Sequence, residues 1–171
     1  MLDNRTRQRI AGFIGSHPGS SARAIQRGLN LGWGETSYHL QEMVKGGTIL
    51  KHSSAHRDYY FSSDVTPADR ATLSAMQSPM ERRILVELSQ GKEVSFSELL
   101  SRIPGGRSTV AFHLRYLIVI GQVAVLDPPG ERRYRAQQPE RVLRLYRNFR
   151  DSFGDRMRDE FTSIWGALVH D

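Results

Sequence analysis

The chain repeats itself at an offset of 74 residues: residues 7–60 fall on residues 81–134 without a gap. Arg9-Ile10 meets Arg83-Ile84, Ile14 meets Leu88, Ser21 meets Ser95, Ile25 meets Leu99 and Leu29 meets Ile103. Gly32 then meets Gly106, Tyr38-His39-Leu40 meets Phe112-His113-Leu114, Gly47 meets Gly121, and Tyr60 meets Tyr134. The shared positions are apolar at helical spacing or are small turn residues, so the copied object is a fold unit. A period this long exceeds that of a solenoid and suits two small domains in tandem. The division expected is a first domain over residues 1–64, a second over 65–138 and a tail over 139–171.

In the first copy, Ile10, Phe13 and Ile14 have the i, i+3, i+4 spacing of an amphipathic helix that ends at His17-Pro18-Gly19. Ser20 or Ser21 caps a short second helix with Ala22, Ile25 and Leu29 inward. The NLGWG segment reads as a turn, and a third helix from about Glu35 to Lys45 turns Thr36, Leu40, Met43 and Val44 inward. Gly46-Gly47 stops it, and residues 48–51 and 57–61 read as the strands of a hairpin. The second copy follows suit. Ser78-Pro79 starts a helix with Met80, Ile84, Leu85 and Leu88; a short helix carries Phe96, Leu99, Leu100 and Ile103. Ser108 or Thr109 begins the third helix, and Val123–Leu126 and Arg132–Arg135 flank a DPPGE tip.

Three helices followed by a hairpin, with a tight turn before the third helix, is the order of a winged helix-turn-helix. The expected fold is therefore mainly α with small β-hairpin wings: two tandem winged helix-turn-helix domains plus a long C-terminal amphipathic helix. Over about residues 5–136 the chain resembles archaeal transcriptional regulators with two winged helices, of the broad ArsR/MarR-like group. The resemblance rests on the third helix. Thr36, His39, Leu40, Met43 and Gly47 match its pattern in the first copy, with Met in place of the usual Leu; Thr109/Val110, His113, Leu114, Leu117 and Gly121 match in the second. It implies a duplex-DNA ligand and a regulatory role.

In a DNA-bound winged helix the third helix enters the major groove and its outward residues face base edges. Outward residues in the first copy are Gly34, Glu35, Ser37, Tyr38 and Gln41. In the second they are Ser108, Thr109, Ala111, Phe112 and Arg115, with Arg107 just before the helix. The second copy thus offers two arginines for guanine or phosphate, and the first offers none. Basic wing residues are expected to reach phosphate: Lys51, His52, His56 and Arg57 in the first copy, Arg132, Arg133 and Arg135 in the second. Strand alternation should place Arg133 and Arg135 on the face opposite Arg132 and Tyr134.

From Pro139 onward the chain reads as one helix, with Val142, Leu145, Tyr146, Phe149, Phe153, Met157, Phe161, Ile164, Trp165 and Leu168 stepping by three and four. Residues 139–150 hold four Arg against one Glu, and residues 151–171 hold two Arg against five acids. Halves of opposite sign complement each other in an antiparallel pair, so Leu145, Phe149, Phe153, Met157, Phe161, Ile164, Trp165 and Leu168 are candidates for homodimerisation; the other reading is packing within the chain.

Charge and composition exclude several classes. Lys and Arg against Asp and Glu number 8 and 5 in residues 1–64, 10 and 7 in 65–138, and 6 and 6 in 139–171, so each repeat carries a basic excess suited to a polyanion. With no cysteine there is no disulfide or thiolate metal site. His39 and His113 sit beside core leucines and read as half-buried rings that bond backbone or phosphate. The His52/His56 pair lacks neighbouring ligands, so no metal and no cofactor are expected. No Ser/His/Asp set or paired carboxylate recurs, so no enzyme is expected. The amino-terminal MLDNRTRQRI lacks the apolar core of a signal peptide, and no apolar run reaches membrane-span length, which predicts a soluble, cytoplasmic, nucleoid-associated protein. Three functions fit: a DNA-binding transcriptional regulator, an abundant and weakly sequence-specific chromatin or architectural protein, and a winged-helix interaction scaffold that binds no DNA.

Overall fold

In the computed structural model of the chain, the backbone is described for residues 2–54 and 57–168, and the side chains for residues 4–54 and 57–153. The chain divides into two units, residues 1–74 with 149–171 and residues 75–148.

The first unit begins with α1 (Leu2–Ser16) and α2 (Ala22–Leu29). Ser21 is the N-cap of α2, its hydroxyl accepting from the Ala24 amide at 3.2 Å. Asn30 ends α2 in the left-handed conformation (φ 52°), which the short asparagine side chain tolerates. Next comes α3 (Trp33–Lys45), then β1 (Ile49–Ser54) paired antiparallel with β2 (Arg57–Ser62). Ile10, Ile14, Ile25, Leu40, Met43, Ile49 and Tyr60 make the core, with Phe13, Leu29, Leu31 and Val44 packed at its edge. The helices thus bury one stripe each, and Tyr60 brings the wing onto them.

A helix not foreseen, α4 (Pro67–Ala75), precedes the second unit. That unit contains α5 (Pro79–Glu87), β3 (Val94–Ser95), α6 (Phe96–Arg102), α7 (Arg107–Val119), β4 (Val123–Leu126) and β5 (Arg133–Ala136). Strand order in its sheet is β3-β5-β4, antiparallel throughout. Ile84, Leu85, Leu88, Leu99, Val110, Leu114, Leu117 and Val123 are buried. A capping box starts α6: Ser95 Oγ accepts from the Glu98 amide (3.2 Å) and Glu98 Oε2 accepts from the Ser95 amide (2.8 Å). The chain continues as α8 (Pro139–Leu168). The architecture is mainly helical with two small hairpin wings, as two winged helix-turn-helix units and a C-terminal helix require.

The offset of 74 holds to the single hydrogen-bonded pair. Lys51 faces Tyr60 across the first wing and Val125 faces Tyr134 across the second. The isolated bridge Ser20–Tyr60 corresponds to Val94–Tyr134, the first pair of β3 with β5. Gly47 and Gly121 end the third helices with φ of 70° and 73°, a region that costs an L side chain about 1–2 kcal/mol.

Some boundaries differ from expectation. Both third helices begin earlier, at Trp33 and Arg107, because Gly32 and Gly106 are their extended N-caps. The Gly32 carbonyl accepts from the Thr36 amide (2.9 Å) and the Gly106 carbonyl from the Val110 amide (3.1 Å). Ser78 stands at the N-cap of α5 with Pro79 in the first turn, but its hydroxyl does not cap. Arg132 lies outside β5, which starts at Arg133. Among the described residues no helix is long and apolar enough to cross a membrane.

Candidate nucleic-acid interface

Helical periodicity puts Ser108, Phe112 and Arg115 on one face of α7, at i, i+4 and i+7. That face is the uncovered one: Ser108, Thr109, Phe112 and Arg115 are all exposed, while Val110, Leu114 and Leu117 are buried behind them. On α3, Tyr38 and Gln41 are exposed and Ser37 is half-buried, opposite buried Thr36, Leu40 and Met43. Lys45, one turn beyond Gln41, extends the same outward face and was not singled out from sequence.

Each third helix is tied to the helix before it by a cation lying over an aromatic ring. The Arg107 guanidinium sits 5.1 Å from the centre of the Phe96 ring in the second copy. In the first, the Arg23 guanidinium sits 5.9 Å from the Trp33 ring. Trp33 and Arg107 are equivalent residues, 74 apart, so the two partners have exchanged helices. Sequence reasoning placed Trp33 in a turn and missed it. The offset itself was the available signal, since it aligns Trp33 with a residue already singled out.

The wings lie against the third helices, β1 against α3 and β4 against α7. Their cations differ in how they are held. Lys51 Nζ donates to Asp58 Oδ2 at 3.2 Å. A hydrogen bond from the Ser53 hydroxyl, more than the Lys51 charge, holds the Asp58 carboxyl below its usual range, so Asp58 stays anionic and offsets Lys51. Arg57 is exposed at the tip, paired across the hairpin with Ser54; His56 lies outside the described residues. Arg132 Nε donates to Asp127 Oδ1 at 2.7 Å, both groups being solvent-exposed. Arg133 Nη1 donates to the Glu93 carbonyl at 3.1 Å and lies 3.5 Å from Glu98 Oε2, which ties it to the base of α6. Arg135 is exposed on the same strand face as Arg133, with Tyr134 and Ala136 buried on the other.

The two histidines differ. His39 is buried, whereas His113 is half-buried and its Nδ1 lies 3.0 Å from Glu81 Oε1, itself nearly covered. Among the described residues no three His, Cys, Asp or Glu side chains come together as a metal site.

Along α8, Leu145 is 2% and Phe153 3% exposed within the single chain, and Phe149 is half-buried. The side chains of Met157, Phe161, Ile164, Trp165 and Leu168 lie outside the described residues.

Residues 4–73 match a family model described as an N-terminal HTH domain. None of the curated proteins compared matches the chain. Among solved structures, an ArsR-like transcriptional regulator from Rhodococcus sp. RHA1 is 27% identical over 61% of this chain and 94% of its own, with a TM-score of 0.38. A second structure, of an ArsR family transcriptional regulator, is 17% identical over 60% of this chain and 95% of its own, with a TM-score of 0.37. The amino-terminal unit is thus similar to a helix-turn-helix domain over most of its length.

Proposed function

We propose that this protein is a transcriptional regulator that binds duplex DNA through its third helices and wings. The observation that carries this reading is the uncovered face of α7, where Ser108, Phe112 and Arg115 line up on a helix that the core holds from behind. Thr109 and Arg107 open that helix, Arg135 stands exposed on the adjoining wing, and α3 offers Ser37, Tyr38 and Gln41 in the equivalent place. Arg57 adds exposed charge at the first wing tip, whereas Lys51, Arg132 and Arg133 are held by neighbouring acids and contribute less to phosphate binding. No catalytic or cofactor role enters the reading.

Homodimerisation through α8 belongs to the same proposal. Leu145 and Phe153 are covered within one chain, so the proposal rests on half-buried Phe149 and on the sequence stripe of Met157, Phe161, Ile164, Trp165 and Leu168. Sedimentation of the full chain against a variant with Phe161, Ile164 and Trp165 changed to Ser tests it: the wild type runs as a dimer and the variant as a monomer.

Selection of bound duplexes from a random pool at about 50 and 200 mM salt tests the DNA reading. A regulator enriches a motif, palindromic if the chain is a dimer, and loses about 10³–10⁵ in affinity across that range if six to ten phosphates are contacted. Retention without enrichment supports the architectural alternative. The scaffold alternative is favoured by the apolar exposure of Phe112 and Val119 on α7, and it predicts no retention.

A further inference from the structure

Duplication preserved the inward positions of the third helix and let the outward ones drift. Gly34 became or came from Ser108, Ser37 pairs with Ala111, Gln41 with Arg115, and Lys45 with Val119. One outward position did not drift in kind. Tyr38 and Phe112 are both aromatic, and they are 54% and 69% exposed. Burial of apolar area is what stabilises a fold, and a ring left in water contributes little of it. The core therefore does not account for an aromatic at this place in both copies.

The two rings are also held alike. The Tyr38 ring meets the His39 ring edge-on at 5.2 Å and 64°, and the Phe112 ring meets the His113 ring at 5.3 Å and 86°. Each histidine is anchored from behind, His39 by burial and His113 by Glu81. The scaffold thus sets the direction of a ring that points away from it.

We infer that Tyr38 and Phe112 are thymine-selecting residues, each ring packing on the C5-methyl group of a thymine in the major groove. The inference rests on the DNA-binding reading above and supplies its specificity. Phe112 has no donor or acceptor, so it cannot read the N7, O6 or exocyclic amine of a base. On a natural unmodified duplex the apolar group that the major-groove edge presents is the thymine methyl. The surroundings suit that occupant: exposed Arg115 stands one turn after Phe112 and Ser108 one turn before it, a cation and a hydroxyl flanking an apolar ring. Arg115 has the geometry to take guanine O6 and N7, and Gln41, its counterpart beside Tyr38, has that for adenine N6 and N7.

The test uses the full chain and the tightest-bound duplex recovered by the selection, made once with thymine and once with uracil, which lacks only the methyl groups. Wild-type protein is expected to bind the uracil duplex about 3- to 10-fold more weakly, the scale of one to two buried methyls. Phe112→Ala combined with Tyr38→Ala is expected to bind both duplexes equally, at the weaker level. Both rings are exposed, so the variant keeps its fold, which its far-ultraviolet circular dichroism and thermal midpoint verify. Equal binding of the two duplexes by the wild type overturns the inference and leaves DNA binding intact. So does a double variant that still distinguishes thymine from uracil, or retention of the pool with no enriched sequence. Absence of any DNA binding overturns this inference and the proposed function together.

Discussion

Glu87 Oε1 accepts a hydrogen bond from Arg102 Nη1 at 2.8 Å, at the two positions where the first copy sets the Phe13 ring against Gly28. The repeat has kept a link between its first and second helices while replacing its chemistry. The ion pair is partly exposed and contributes at most about 1 kcal/mol. The aromatic link is the more demanding. A Cβ on Gly28 would lie 2.4 Å from Phe13 Cε2, and that ring is pinned by stacking on His17 at 4.4 Å. Gly28→Ala is therefore expected to lower stability by about 1–2 kcal/mol despite the better helix propensity of alanine. Denaturant midpoints check this, with Phe13→Leu restoring part of the loss and Arg102→Ala costing less than Gly28→Ala.

The Glu81–His113 contact joins α5 to α7 behind the outward face. Both groups are mostly covered, so loss of the carboxylate removes a hydrogen bond that water replaces poorly. We expect Glu81→Ala to cost about 1–3 kcal/mol in urea unfolding, and Glu81→Gln to cost less. If His113 orients Phe112, DNA affinity should fall in parallel while binding to thymine and uracil duplexes converges.

Glu98 makes part of the stability pH-dependent. The Ser95 amide donating to its carboxylate, joined by the Ser95 hydroxyl and the charges of Arg133 and Arg102, outweighs desolvation and holds its folded value below the ordinary 4.5. The contribution is complete above the unfolded value and disappears as pH falls through the lower folded one. Unfolding midpoints of wild type and Glu98→Gln should therefore differ most near neutrality and converge on acidification from about pH 5 downward. Ser95→Ala, which breaks the box from the other side, should cost about 1 kcal/mol at neutral pH.

Arg133 and Arg135 are neighbours on one strand face with different expected phenotypes. Arg133 is fastened to Glu93 and Glu98, whereas Arg135 is exposed. Arg135→Ala should weaken DNA binding across all sequences and reduce the slope of log affinity against log salt by about 1. Arg133→Ala should instead lower the thermal midpoint and leave most of that slope in place.

Residues with side-chain periodicity were legible in the sequence, and residues placed by backbone or by distant partners were not. Ile10, Ile14, Ile25, Leu40 and Met43 recur at helical spacing, and all are core residues. The same holds for Ile84, Leu88, Leu99, Leu114 and Leu117. α4 escaped because its buried side chains include Thr72 and Ser74 beside Leu73 and Ala75, which leaves little apolar rhythm. β3 has two residues, too few to alternate. The third helices start two residues early in α3 and one or two in α7 because glycine caps them, and glycine has no side chain to announce a cap. Of the candidate site, the outward residues of α7 follow from spacing alone. The tie of Arg133 to Glu98 and the partner of His113 come from chain segments 35 and 32 residues away, beyond any local pattern.

The exchanged pairs Arg23–Trp33 and Phe96–Arg107 act as struts across the helix-turn-helix corner, and a strut of this kind is indifferent to which end supplies the charge. What changes hands is the character of the residue at the threshold of the third helix, an indole in one copy and a guanidinium in the other. The two ends are consequently coupled. Trp33→Arg alone would remove the ring from beneath Arg23 and set two cations across the corner, whereas moving the ring to position 22 in the same step would preserve the strut. Exchanging charge and ring across this corner thus takes three positions together, 22/96, 23/97 and 33/107, and it is this concerted change that separates the copies at their entrances.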